Sequence, residues 1–147
     1  VHINGLDAKV SATLRPLRKL YVTTRLQYTY QQAIDVTNPA DTYYRDQIPY
    51  IPWNSGSAVV QMDYGTWGLN YSFIYTGERY NQQENIIYNH TQPWYTHDLS
   101  LQKSFNWKDY KARVALEVNN LFSQDYDVIL NYPMPKRNYR LTLTFEM

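Results

Sequence analysis

The sequence predicts an all-β chain, an antiparallel transmembrane β-barrel segment of about seven strands cut from a larger barrel. Three observations carry that expectation. Apolar and polar side chains alternate with a period of two from end to end, short connections alternate with long ones, and aromatic residues gather at both ends of the alternating segments. A period of two belongs to a strand whose faces meet different surroundings, whereas an amphipathic helix repeats at 3.6.

The first segment places Leu6, Ala8, Val10, Ala12 and Leu14 opposite Asp7, Lys9, Ser11, Thr13 and Arg15. After Pro16-Leu17-Arg18, Leu20, Val22, Leu26, Tyr28 and Tyr30 alternate with Thr23, Arg25, Gln27 and Thr29. The third sets Ala58, Val60, Met62 and Tyr64 against Ser57, Gln61 and Asp63, then turns at Gly65-Thr66. In the fourth, Trp67, Leu69, Tyr71, Phe73 and Tyr75 oppose Gly68, Asn70, Ser72 and Thr76. The fifth carries Tyr95, His97, Leu99, Leu101 and Phe105 on one face and Thr96, Asp98, Ser100, Gln102 and Ser104 on the other. Thr24, Val59, Ile74 and Lys103 interrupt this order. The sixth sets Ala112, Val114, Leu116 and Val118 against Arg113, Glu117 and Asn119 and is expected to continue through Phe122 and Tyr126 to Leu130. The last alternates Tyr139, Leu141, Leu143, Phe145 and Met147 with Arg140, Thr142, Thr144 and Glu146.

Short connections at Pro16 to Arg18, Gly65-Thr66 and Asn106 to Asp109 alternate with long ones near Ile34 to Gly56 and Asn81 to Pro93, and Asn131 to Asn138 is intermediate. An outer-membrane barrel has short periplasmic turns and long extracellular loops, so this alternation orients the sheet and brings the final strand down to the periplasmic side. Tyr64, Trp67, Phe105, Trp107 and Tyr110 would form the girdle beside the short turns. Tyr28, Tyr30, Trp53, Tyr75, Tyr80, Trp94, Tyr95, Tyr126 and Tyr139 would form the other. A soluble carbohydrate-binding β-sandwich also alternates, but its strands average ~5–6 residues and its connections do not sort by end.

Composition narrows the function. The 147 residues hold 16 Tyr and no Cys, with a formal net charge of +1. Disulfide frameworks and thiol chemistry are thereby excluded, and no basic stripe suggests nucleic acid as a partner. No run approaches the ~18 apolar residues of a transmembrane helix. Val1 opens directly into a strand pattern without a signal segment, so the gene product is expected to begin upstream.

The last third resembles the terminal strands of TonB-dependent receptors. The resemblance rests on Val118-Asn119-Asn120-Leu121-Phe122, on Tyr126, and on the run Asn131-Tyr132-Pro133-Met134-Pro135-Lys136-Arg137-Asn138-Tyr139. Ile48-Pro49-Tyr50-Ile51-Pro52 is similar to that family's entry into an upstream strand. One departure is the terminal Met147, where such barrels usually end in Phe; Phe145 lies two residues earlier, on the same face. The resemblance implies a plugged barrel of about 22 strands in the cell outer membrane, of which residues 1–147 are C-terminal strands. Lipid, the remaining strands and plug (from missing sequence or a second chain), TonB acting through the plug, and a nutrient ligand are the implied partners. The implied function is import of a ferric siderophore, haem or cobalamin, with no cofactor and no catalysed reaction. A passive porin or adhesin-like barrel is the alternative.

Catalytic and metal sites are not expected. On a strand His97 points away from Asp98 and Ser100, and Asp35, Asp41 and Asp46 lack the spacing of a calcium loop. Substrate contact is expected on the long connections, at Tyr43, Tyr44, Arg45, Trp53, His90, Trp94 and Arg137, where aromatic and basic groups coincide. Near the short turns, the inward Arg15, Arg113 and Glu146 are expected to face the plug.

Overall fold

The computed structural model describes residues 1–108 and 110–146. Eleven strands follow in chain order: β1 His2–Leu17, β2 Leu20–Ile34, β3 Asn54–Tyr64, β4 Trp67–Thr76, β5 Arg79–Tyr80, β6 His90–Thr91, β7 Trp94–Trp107, β8 Tyr110–Asn119, β9 Asp127–Ile129, β10 Tyr132–Pro133 and β11 Asn138–Glu146. Seven of them build one antiparallel sheet in the order β1-β2-β3-β4-β7-β8-β11, and β5/β6 and β9/β10 are short ribbons within the long connections. Asp109, in the third short turn, and Met147 lie outside the described residues.

Register converts the alternation of each strand into two surfaces. Leu14, Val22, Met62, Leu69, Leu101, Leu116 and Leu141 are successive cross-strand neighbours, one apolar residue from each of the seven strands. One residue along, on the other face, runs Thr13, Thr23, Gln61, Asn70, Ser100, Glu117 and Arg140, polar in every strand. A slip of one residue anywhere would exchange the faces of that strand, so the two rows show that the pattern and the pairing agree.

No second sheet or helix layer covers the apolar surface among the described residues. Among the described residues Ala33 is the sole buried hydrophobic, while Leu14 and Leu141 are each 64% exposed and Phe145 is 75% exposed. A soluble sandwich buries such a face against a second sheet about 10 Å away. This sheet has no second layer. Hollows open on the polar side, one lined by Gln61, Asp63, Asn70, Ser100, Gln102 and Glu117 and another by Ser104, Asn106, Lys111, Arg113, Thr144 and Glu146, as happens when a sheet curls with its polar face inside.

Among the exceptions to alternation, Lys103 has a local explanation. Lys103 interrupts the outer face beside Trp67, its register partner, and its ammonium sits over the indole ring at 4.0 Å. The stem covers apolar surface while the charge is held by the ring quadrupole. Val59 and Ile74 are paired with Ser72 and Ser57, so they are apolar members of the polar face.

Two boundaries differ from expectation. β1 continues through Pro16 to Leu17, with a register shift between Leu14 and Leu17, and the turn falls at Arg18-Lys19. β1 lies at the edge of this sheet, where a residue lacking an N–H is tolerated at an irregularity. The sixth long strand stops at Asn119 and does not run on to Leu130. Asn120 has φ +51°, a left-handed conformation that cannot extend a ladder. The last connection is therefore long, 120–137, and lies at the same end as the other two.

Each edge of the sheet, β1 and β11, has a single neighbour. In hydrocarbon every unpaired N–H or C=O costs several kcal/mol, so in a membrane a sheet with these two edges would need further strands on both sides. Residues 1–147 purified alone in detergent should give heterogeneous, heat-labile material. Size-exclusion chromatography with circular dichroism checks this, and a monodisperse, heat-stable, strand-rich monomer would overturn it.

Candidate functional site

The end of the sheet opposite the short turns carries three connections, 35–53, 77–93 and 120–137, and their packing defines the candidate site. The first starts with turns made by side chains that compete for backbone groups. Asp35 Oδ1 accepts the Thr37 N–H at 2.8 Å and Asn38 Oδ1 accepts that of Ala40 at 3.1 Å. Arg45, at φ +71°, returns the chain by donating its N–H to Asp35 O at 2.6 Å. Gln47, 6% exposed, pins the following turn through Nε2 to Ile51 O at 2.6 Å. In the Ile48 to Pro52 segment, Ile48 donates to Ala33 O and Ile51 donates back to Ile48 O.

The first and second connections are joined by three hydrogen bonds. Thr42 Oγ1 donates to Glu84 Oε1 at 3.0 Å, the Asn85 N–H to Asp46 Oδ2 at 2.9 Å, and the Tyr50 N–H to Tyr80 O at 2.8 Å. The second meets the third through Arg79, whose Nη2 donates to Asp127 O at 2.7 Å and Val128 O at 3.3 Å. Trp94 stacks on Tyr126 with ring centroids 4.4 Å apart. These two rings border a hollow shared with Thr91, Gln92, Asp125 and Asp127.

Asn120 organises the third connection. It is 4% exposed; Nδ2 donates to Gln124 O at 2.8 Å and Pro135 O at 3.2 Å, and Oδ1 accepts the Gln124 N–H at 2.8 Å. Its backbone N–H is held by Asp98 Oδ1 at 2.8 Å. Arg137 Nε donates to Leu121 O at 2.9 Å and Asn119 Nδ2 to Asn138 Oδ1 at 3.0 Å. The Asn-Asn-Leu-Phe and Pro-Lys-Arg-Asn motifs are thus each other's hydrogen-bonding partners across the root of this connection.

The expected substrate residues do not form one cluster. Tyr43, Tyr44 and Arg45 lie together on the first connection, with Tyr44 and Arg45 exposed. Trp94, the register partner of Thr76, lies on the polar face and not in an outer girdle, while Trp53 sits at the bend just before β3. His90 packs edge-on to Tyr80 at 5.6 Å and its Nε2 lies 3.3 Å from Glu78 Oε2. Arg137 is engaged with the Leu121 carbonyl at the root of the third connection.

Ionisation in this region follows local contacts. The Tyr43 hydroxyl is pushed above its usual range by hydrogen bonding to Asp41, and Asp35 is held below the usual carboxylate range by Thr37. Burial lowers Arg79, and burial followed by the Asp98 charge raises Tyr126. Among the described residues no three His, Asp or Glu side chains converge as metal ligands.

The residues expected to face the plug separate into two places. Arg113 and Glu146 line one lumenal hollow with Ser104, Asn106, Lys111 and Thr144 near the short turns. Arg15 lies at the far side of the sheet, where its Nη2 donates to Arg18 O at 2.6 Å and its guanidinium covers the Tyr21 ring at 5.1 Å. Sequence reading passed over Arg79 altogether and took Asn120 only as part of a motif. Nothing in an aperiodic segment marks Arg79 as buried, whereas the left-handed preference of Asn was a usable signal at Asn120.

His97 points outward, away from Asp98 and Ser100, among Tyr71, Phe73, Tyr95 and Phe122, and its Nδ1 is 2.6 Å from the Tyr71 hydroxyl.

Residues 1–121 match the family described as TonB dependent receptor-like, beta-barrel. That match spans β1 to β8 and includes Asn119-Asn120-Leu121, while the Pro-Met-Pro-Lys-Arg loop and β11 lie beyond it. No curated protein matches the chain. With a seven-stranded antiparallel sheet that is apolar on one face and polar on the other, and a family match over most of its length, the chain belongs to the TonB-dependent receptor β-barrel family.

Proposed function

We propose that residues 1–147 are C-terminal strands of an outer-membrane TonB-dependent transporter that imports a scarce, bulky nutrient such as a ferric siderophore, haem or cobalamin. The observation that carries this reading is the pair of rows crossing all seven strands, one wholly apolar and one wholly polar, in a chain of this barrel family. The apolar row suits lipid and the polar row suits a wet lumen. Family membership favours gated import over a passive porin, since it brings with it a plug in the lumen and TonB as the energy-coupling partner.

On this reading the chain catalyses no reaction. The plug rests on the polar wall, with Arg113 and Glu146 its contacts near the short turns and Arg15 a separate contact at the opposite margin. The three long connections face the medium and receive the nutrient, and the exposed pair Tyr44 and Arg45 with Tyr43 is the first place to test. Replacing all three by Ala in the complete receptor should weaken nutrient binding about tenfold while leaving its abundance in the outer membrane unchanged. Unchanged binding and uptake would remove this connection from the site.

A further inference from the structure

Arg79 is buried to 2% exposure beside Gly77 and Asn81, which are buried too, and it lies where the second long connection meets the third, next to the contact of the second with the first. Its own backbone is paired with Thr91 of the second. Its Nη2 reaches two successive carbonyls of the third, Asp127 O and Val128 O, and the neighbouring Tyr80 carbonyl holds the Tyr50 N–H of the first. No carboxylate lies within salt-bridge distance of it among the described residues, and Nη1 is buried without a hydrogen-bonding partner.

A buried cation satisfied only by carbonyls is an expensive way to fill space, since an apolar side chain of similar volume commonly packs as well or better there. What Arg supplies and an apolar residue lacks is one nitrogen, Nη2, whose two N–H bonds are fixed in the guanidinium plane and reach two successive carbonyls together, an arrangement that Lys, a point charge on a flexible stem, holds less rigidly. We propose that Arg79 is the positioning residue of the nutrient-binding end: it contacts no nutrient itself and locks the third connection onto the first two so that their side chains present one surface. This inference rests on the reading of the long connections as the nutrient-receiving end.

The test uses the complete receptor in three forms: Arg79→Met, Arg79→Lys, and Arg79→Met carrying Gln92→Cys and Asp125→Cys. Gln92 and Asp125 border the same hollow and residues 1–147 hold no cysteine, so once any cysteine elsewhere in the receptor is replaced by Ser a short bis-maleimide can bridge the two connections selectively. Haemin, cyanocobalamin and ferric desferrioxamine serve as probes, and amide hydrogen exchange follows residues 122–136. Arg79→Met should assemble as a heat-modifiable barrel like the parent, exchange at least tenfold faster in 122–136, and bind the parent's probe about tenfold more weakly. Arg79→Lys should fall between, and bridging should restore most of the affinity.

Unchanged exchange in Arg79→Met would overturn the proposal whatever happens to binding. Failure of both Arg79→Met and Arg79→Lys to assemble would overturn it too, by making Arg79 a folding residue. Affinity that stays lost after bridging would assign Arg79 to the nutrient contact itself. If the parent binds none of the three probes, the exchange measurement still decides the positioning role, and it is the nutrient reading that fails.

Discussion

Leu99→Arg should sharply reduce assembly of the complete receptor, whereas Ser100→Arg, one residue along the same strand, should be tolerated. Leu99 lies midway between Tyr95 and Lys103 on the outward face of β7, with Tyr71 and Val118 as its register neighbours. An Arg facing lipid near mid-membrane costs ~2–4 kcal/mol, about a 30- to 900-fold fall in the ratio of folded to unfolded receptor at equilibrium. Ser100 belongs to the polar row between Asn70 and Glu117, where an added guanidinium meets a carboxylate and water. Urea titration of refolding into lipid vesicles, read by heat-modifiable gel migration, measures both. Equal midpoints for the two variants would mean that the faces have been assigned wrongly.

Asn120→Ala should release the third connection as a unit. It removes three side-chain hydrogen bonds, takes the Asn120 donor from the Pro135 and Gln124 carbonyls, and puts a Cβ residue without a local polar group at φ +51°. Taking ~1 kcal/mol for each bond and ~1 for the left-handed backbone, the local loss is roughly 3–4 kcal/mol. Asn120→Gly relieves the backbone alone and should recover only about 1 kcal/mol of it. Hydrogen exchange of the Met134 amide, which donates to Tyr126 O, reports the opening directly. If Gly restores full protection, the backbone conformation and not the side-chain network holds the connection. Pairing of the two family motifs through Asn120, Arg137 and Asn119 accounts for their appearing together in one sequence.

These two substitutions probe features of unequal visibility in the sequence. Leu99 and Ser100 could be assigned to opposite faces from alternation alone, and so could His97 and Asp98. Parity is a local property of extended backbone and needs no knowledge of which strand lies alongside. The same reasoning carried the sixth strand too far, because Phe122 and Tyr126 happen to keep the apolar parity beyond Asn119. Hydrophobic spacing does not register a change of φ sign, and the left-handed turn at Asn120 ended the ladder regardless. Trp53 and Trp94 were grouped with the outer girdle because aromatics near a rim look alike in sequence. Register with Thr76 turned Trp94 to the polar face, and Trp53 falls at the bend just before β3.

By itself, then, the sequence determined the seven strands of the main sheet, their two faces, the sorting of the first five connections into short and long and the family resemblance, all of which follow from period, spacing and local motif. Tertiary structure alone decided that apolar residues of seven strands fall into one row, that Arg15 stands apart from Arg113 and Glu146, and that Arg79 is buried where the second long connection meets the third. Those outcomes depend on pairings between residues far apart along the chain. A side chain in an aperiodic connection has no face until a distant segment packs against it.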